Sequence, residues 1–254
     1  MKEVEEALKT IPDVEKILDE AVEALGIDKM PTAEVEKNFE RLLVELESTA
    51  SKIYVKHEEK AFEKLVEQWL AYRREWVTKT LSERGEAAVK DIALELVKPV
   101  RMMEFRAGQM RKARGGKTFE LAVEKLLKCA GVPCQKPDKD TRTALKRIDL
   151  VSPDADTAKQ TPDKAIFISV KRTLRERWKQ VVPEQMKSAR IYLVTINGEL
   201  TGEKAEEIRQ HGIVVYVRDS LKNMQHLKEK TWVRSLSELP KDIKNSVPRR
   251  PDST

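Results

Sequence analysis

Residues 165–178 read Ala165-Ile166-Phe167-Ile168-Ser169-Val170-Lys171-Arg172-Thr173-Leu174-Arg175-Glu176-Arg177-Trp178, and the two halves of this stretch differ in character. The first is a short apolar run, the pattern of a strand buried on both faces. The second is a dense cationic turn. Side chains alternate along a strand, so Ser169 and Lys171 are expected to leave its end on one face, with the amine aimed into a site. Chemistry and recognition would then share one segment.

The same two-residue period recurs on either side. Lys146 to Val151 alternates like a strand, and Ser152-Pro153-Asp154 with a polar loop to Lys164 returns the chain. After an intervening helix, Ile191 to Ile196 predicts another strand, ending at Asn197-Gly198. Thr201 is a candidate N-cap for a helix through Gln210, and Gly212 ends it before a strand over Ile213 to Val217. A short helix and an extended piece at Thr231-Trp232-Val233 follow. Strand, strand, helix, strand, helix, strand gives an α/β core with a mixed sheet. From residue 245 the tail is rich in Pro and charge and is expected to be disordered.

The N-terminal half has no strand signal. Residues 1 to 25 predict one amphipathic helix or two with Pro12 as the break, and residues 32 to 84 carry a longer helical pattern that stops at Gly85. A third helix is expected from Ala87 to Lys98, ended by Pro99, with a fourth beginning near Val100. Trp69, Tyr72 and Trp76 share one helix face; core or dimer packing and a stacking platform for a base both account for them. His57 sits among charges and is given no role. His211 and His226 lie at helix ends and read as structural.

Between the halves, Arg101, Arg106, Arg111, Lys112, Arg114 and Lys117 surround Gly108 and Gly115-Gly116, which predicts a basic glycine loop able to approach phosphates. It lacks the Walker A spacing. Thr118 then starts a helix whose first turn holds Glu120, either a carboxylate at the helix dipole or a supplementary acid facing the site.

Composition sets outer bounds. The 254 residues are enough for one substantial core with a smaller helical part, and the net charge of +6 suits a polyanion without requiring one. Without a run of about 18 apolar residues or an apolar signal core, a cytosolic protein with no membrane partner is expected. Cys129 and Cys134, without further Cys or nearby His, make no zinc site and read as a reduced pair.

In-line cleavage of a phosphodiester needs a divalent cation, hard oxygen ligands and a group that positions water. Asp149 on the first strand and Lys171 on the second meet two of these needs. The usual acid two residues before the lysine is absent, because Ser169 stands there, and Glu184, just after Pro183, is placed to supply a second carboxylate. Asp149, Ser169-x-Lys171 and Glu184 resemble the PD-(D/E)XK nuclease motif in its migrated-glutamate form, and Lys171 to Trp178 is similar to restriction endonucleases of the EcoRII, SsoII and PspGI group. The likeness covers about Arg106 to Val217, and the N-terminal half only in general character.

That resemblance implies a restriction-endonuclease-like core with a mixed central sheet flanked by helices over residues 106–244. A helical region over 1–105 would serve dimerisation and DNA contacts. It implies Mg²⁺ held by Asp149 and Glu184, water oriented by Lys171, and Glu120 as an additional acid. Arg175, Glu176 and Arg177 would read G·C pairs, since arginine's fork matches guanine O6 and N7 and glutamate accepts from cytosine N4. Arg114, Lys117, Arg172 and Lys179 would touch the DNA backbone, and Trp69, Trp76 and Tyr54 are candidates for stacking flipped bases. A basic turn closed by an Arg-Glu ion pair is the structural alternative for 175–177.

The group implies a type II enzyme, a homodimer on double-stranded DNA paired with a methyltransferase, cutting a CCNGG- or CCWGG-like palindrome. A structure-selective or repair nuclease, and a non-catalytic DNA-binding protein on the same fold, are the rival expectations.

Overall fold

A computed structural model describes residues 2–138, 148–174 and 190–246. The described helices and strands form two compact units, residues 1–21 with 48–117 and residues 22–47 with 118–254. Arg175, Glu176, Arg177, Lys179 and Glu184 lie outside the described residues, as does the tail from residue 247.

The second unit holds a five-stranded sheet in the order β1 (Leu150–Ser152), β2 (Ile166–Val170), β3 (Arg190–Val194), β4 (Ile213–Val217), β5 (Val233–Ser235). β1 runs antiparallel to β2, and the remaining pairs are parallel, so the sheet is mixed. All five residues of β2 are buried, Ser169 with its four apolar neighbours, as in a strand covered on both faces. On one face Phe167, Ile191, Leu193, Ile213, Val215 and Val217 form a single apolar layer with Ala205 and Ile208. Burying each large side chain there contributes on the order of 1.5–3 kcal/mol. On the other face Tyr192 packs on Tyr216 with ring centroids 5.1 Å apart, and Tyr216 donates to Asp242 at 2.8 Å. The outer edge of β1 does not stand open: Gln135 bridges Val151 through both backbone bonds.

Local signals explain most boundaries. Pro12 separates α1 (Lys2–Leu8) from α2 (Val14–Leu25). Gly85, at φ 57, closes the helix Arg74–Arg84, where a residue with Cβ would be strained. The Thr201 side chain caps Gly202–Gln210 by accepting from the Lys204 amide at 3.2 Å. The 32–84 pattern resolves into α3 (Thr32–Lys37), α4 (Phe39–Tyr72) and α5 (Arg74–Arg84). The expected loop before β2 instead contains a short helix, α7 (Ala155–Gln160), capped by the Asp154 carboxylate.

The largest correction concerns residues 87–129. They form one helix, α6 (Ala87–Cys129), with Pro99 and Gly108, Gly115 and Gly116 inside it, in place of two helices joined to a third by a glycine loop. Proline costs a helix about 3 kcal/mol and each glycine about 1 relative to alanine. Packing outweighs them: Met103, Ala107, Phe119, Ala122, Val123, Leu126 and Leu127 are all fully buried. Glu120 is consequently a mid-helix residue, remote from the N-terminus of its own helix, and the account of it as a first-turn dipole carboxylate fails.

The helix makes a direct prediction. Apart from its chain neighbours and the helix's own backbone, no atom lies within 4 Å of where a Cβ on Gly116 would sit. Gly116→Ala should therefore raise stability by about 1 kcal/mol, measured by urea unfolding, whereas a loop glycine would show no such gain.

Candidate active site

The register of β1 on β2 builds the centre of the site. Leu150 pairs with Ile168, and the Asp149 amide donates to the Ile168 carbonyl at 2.9 Å, so Asp149 sits at the end of the ladder, beside the residues that leave β2. Asp149 Oδ2 accepts from the Val170 amide at 2.7 Å and from Lys171 Nζ at 2.6 Å. Both side chains are mostly sheltered, at 16% and 21% exposure. Shelter and two donors on one oxygen fix the carboxylate's orientation, and charge-assisted bonds of this length are the stronger kind. The other oxygen, Oδ1, makes no hydrogen bond to a described residue.

Beyond Lys171 the chain is secured at both flanks. The Lys171 amide donates to Val194 on β3 at 2.8 Å, and Leu174 is buried in the sheet's apolar layer with its carbonyl held by Lys204. Arg172, exposed between them, lies 3.9 Å from Glu47. The backbone is thus anchored on both sides of Arg172 and Thr173, up to residue 174.

Parallel strands β2, β3 and β4 bring Lys171, Thr195 and Arg218 to one edge of the sheet, where ligands of open α/β sheets gather. Two carboxylates of α4 attend that edge, and sequence reasoning missed both. Burial raises the Glu47 carboxyl above the usual range, with Arg172 and Arg218 opposing the rise. Glu40 accepts from the Asp219 amide at 2.7 Å, and burial, with the neighbouring Asp219, pushes its carboxyl up to about 7. The one available signal was their seven-residue spacing beside the buried stripe Phe39, Leu43 and Leu46, a sign that both lean toward the core.

Several expected contacts are redirected. Tyr54 and Trp69 are buried, at 9% and 5% exposure, so neither offers a ring face to a base. Tyr54 donates to Glu58 at 3.0 Å, and Trp69 meets Trp76 edge-on at 6.3 Å. Trp76 is the half-buried member of the three. Arg114 donates to the Pro12 carbonyl at 2.7 Å and lies over the Tyr54 ring, so its guanidinium is engaged within its own unit. Glu120 and Lys117 are half-buried and exposed respectively. His57 pairs with Glu20 at 3.2 Å and His226 with the Leu200 carbonyl at 2.9 Å, which are structural contacts. Cys134 is buried, and burial pushes its thiol up to about 12.

The sequence that carries this site matches a family model over most of its length. The model described as EcoRII C terminal covers residues 59–239. The chain belongs to the EcoRII C-terminal family. Within its wider kin, it is 28% identical over 148 residues to the type II restriction enzyme SsoII of Shigella sonnei, over 55% of this chain and 48% of that protein. It is 42% identical over 62 residues to an uncharacterized protein in the DsaVM 5′ region of Dactylococcopsis salina, over 24% of this chain and 52% of that one. The matches span about half the length of these curated relatives.

Solved members of the same architecture include metal-depleted Ecl18kI in complex with uncleaved DNA. That likeness has a TM-score of 0.75 at 20% identity, over 98% of this chain and 86% of that one. The PspGI–substrate DNA complex gives 0.65 at 22% identity, over 95% of each chain. These likenesses establish the restriction-endonuclease fold for this EcoRII C-terminal family member.

The raised Glu40 carboxyl has a consequence for stability. Between about pH 4.5 and 7 the folded chain holds a proton on Glu40 that the unfolded chain releases, so its contribution to stability is full at low pH and is lost as pH rises. Asp219, whose burial is outweighed by hydrogen bonds that hold its carboxyl below the usual carboxylate range, titrates beneath that window. Glu40→Gln should flatten the fall of melting temperature with pH over this interval; an unchanged slope would assign the fall elsewhere.

Proposed function

We propose that the protein is a homodimeric type II restriction endonuclease making Mg²⁺-dependent double-strand cuts at a CCNGG- or CCWGG-like palindrome. The carrying observation is the Asp149–Lys171 contact at the sheet edge, in a chain of the EcoRII C-terminal family. Relatives solved with DNA support double-stranded DNA as the partner. Residues 106–244 would form the nuclease core, and residues 1–105 would serve dimerisation and DNA contacts. A methyltransferase would protect the host's own sites.

The donor set fits a hard cation in part. Asp149 Oδ1 is an oxygen ligand whose orientation is set by the bonds to Oδ2. No group of three His, Cys, Asp or Glu able to hold a metal occurs among the described residues, and Glu184 is assigned as the second carboxylate. Mg²⁺ suits such a sparse site, since it keeps several waters and takes one or two carboxylates beside phosphate oxygens. When bound it supplies a Lewis acid for the scissile phosphate and a more acidic water. Lys171 serves as a donor that orients the attacking water, and Asp149 holds that amine in place. Glu120 is a candidate supporting acid on α6. Arg175 and Arg177 would read guanine edges and Glu176 would accept from cytosine N4. Arg172, Lys117 and Lys179 contact phosphates, and Trp76 is the remaining stacking candidate.

Digesting a mixed-sequence plasmid with Mg²⁺ should yield discrete bands whose ends map to a CC/GG palindrome. A smear, or cutting at junctions alone, would favour a structure-selective nuclease, and binding without cutting a non-catalytic protein. Lys171→Ala should abolish cleavage while leaving specific binding nearly intact, checked by gel shift without metal. Arg177→Ala should lose about 1–3 kcal/mol on the cognate site and much less on random DNA; an equal loss on both would make it a phosphate contact.

A further inference from the structure

Arg218 stands where β4 ends, and its side chain has no hydrogen bond or ion pair among the described residues. Its Nε is buried without a partner, while the residue as a whole is half-buried, so only the end of its fork is open to a ligand. A buried donor left unmade carries its full desolvation cost, which an apolar side chain of the same shape would avoid. The other charges at this edge of the sheet are engaged. Lys171 bonds Asp149 at 2.6 Å, Arg172 lies 3.9 Å from Glu47, Glu40 accepts from the Asp219 amide at 2.7 Å, and Asp219 accepts from the Ser237 hydroxyl at 3.0 Å. A cation kept at a cost, among acids already committed to other groups, fits an anion that comes from outside the chain.

Register indicates which anion. Val170, Val194 and Tyr216 lie level across β2, β3 and β4. Arg172 and Arg218 each follow two residues later, so they leave the sheet at one level and on one face, two strands and roughly 10 Å apart. Burial raises the Glu47 carboxyl and both guanidinium groups oppose the rise, as a shared face requires. Lys171 precedes Arg172 directly. An anion that meets all three cations carries several charges in a row, as a DNA strand does. Arginine's fork takes two oxygens of one phosphate, a contact that fixes position and reads no sequence.

We infer that Arg218 binds a backbone phosphate of the DNA, holding with Arg172 the strand that crosses the ends of β2, β3 and β4. The inference rests on the proposed function for double-stranded DNA as the ligand, and it adds a residue on β4 to those expected to grip it.

Binding measured without metal, so that nothing is cut, tests it. The fall of log affinity with log salt should be shallower in Arg218→Met than in the intact chain by about 0.9, the share of one phosphate contact. Affinity should weaken several-fold, by the same factor on cognate and random duplexes. Arg218→Lys, which keeps the charge without the fork, should restore the slope and only part of the affinity. Arg209→Met, at a residue that precedes β4 and lies over the Trp232 ring at 4.5 Å, should leave the slope unchanged. A structural arginine would instead lower the melting temperature when replaced and leave the slope where it was. Should Arg218→Met fail to fold, the unaltered chain decides: duplex DNA should protect Arg218 from phenylglyoxal several-fold and leave Arg209 reactive. An unchanged slope, a loss confined to cognate DNA, or an Arg218 that stays reactive in the complex would overturn the inference. The expected change of slope in a chain that cuts nothing would overturn only the nuclease reading, and absence of binding to any duplex would overturn both.

Discussion

Everything at the candidate active site depends on one carboxylate oxygen shared between a backbone amide and an amine. Asp149 Oδ2 is held by Val170 and Lys171, residues on the strand beside its own. Antiparallel pairing makes this contact possible, since it brings the start of β1 alongside the end of β2. The arrangement is sensitive to register, because a slip of one residue would turn Asp149 to the opposite face of the sheet. Two features resist such a slip: β2 is buried along its whole length, and the outer edge of β1 is bonded to Gln135.

From that contact the rest of the edge follows. The chain leaves β2 as a lysine in the site, an exposed arginine, and a leucine returned to the core within three residues. Burial of Leu174 and the hold on its carbonyl fix the backbone as far as residue 174. Glu47 and Glu40 of α4 accept the cost of burial beside Arg172, Arg218 and the Asp219 amide. Arg172 lies 3.9 Å from Glu47, and both arginines oppose the rise of its carboxyl.

Helix α6 shows a contest between local preference and packing. Its proline and glycines disfavour helix by several kcal/mol in all. Between Phe119 and Leu127 it buries five fully enclosed apolar side chains, and that burial prevails. In the first part of the same helix, residues 87–102, only Ala88 is buried.

By itself the sequence determined the strand set, the mixed α/β core, the Thr201 cap and the Asp149–Lys171 pair. Those features are written in short-range patterns: apolar alternation, a capping hydroxyl, and charged residues at strand ends. Only the tertiary structure decided that residues 87–129 are one helix, that Tyr54 and Trp69 are core, that Arg114 is engaged by a carbonyl, and that Glu40 and Glu47 reach the sheet edge. Each of these is settled by a neighbour distant in sequence. Burial and partnership between remote segments outweigh the local preferences that a chain displays on its own.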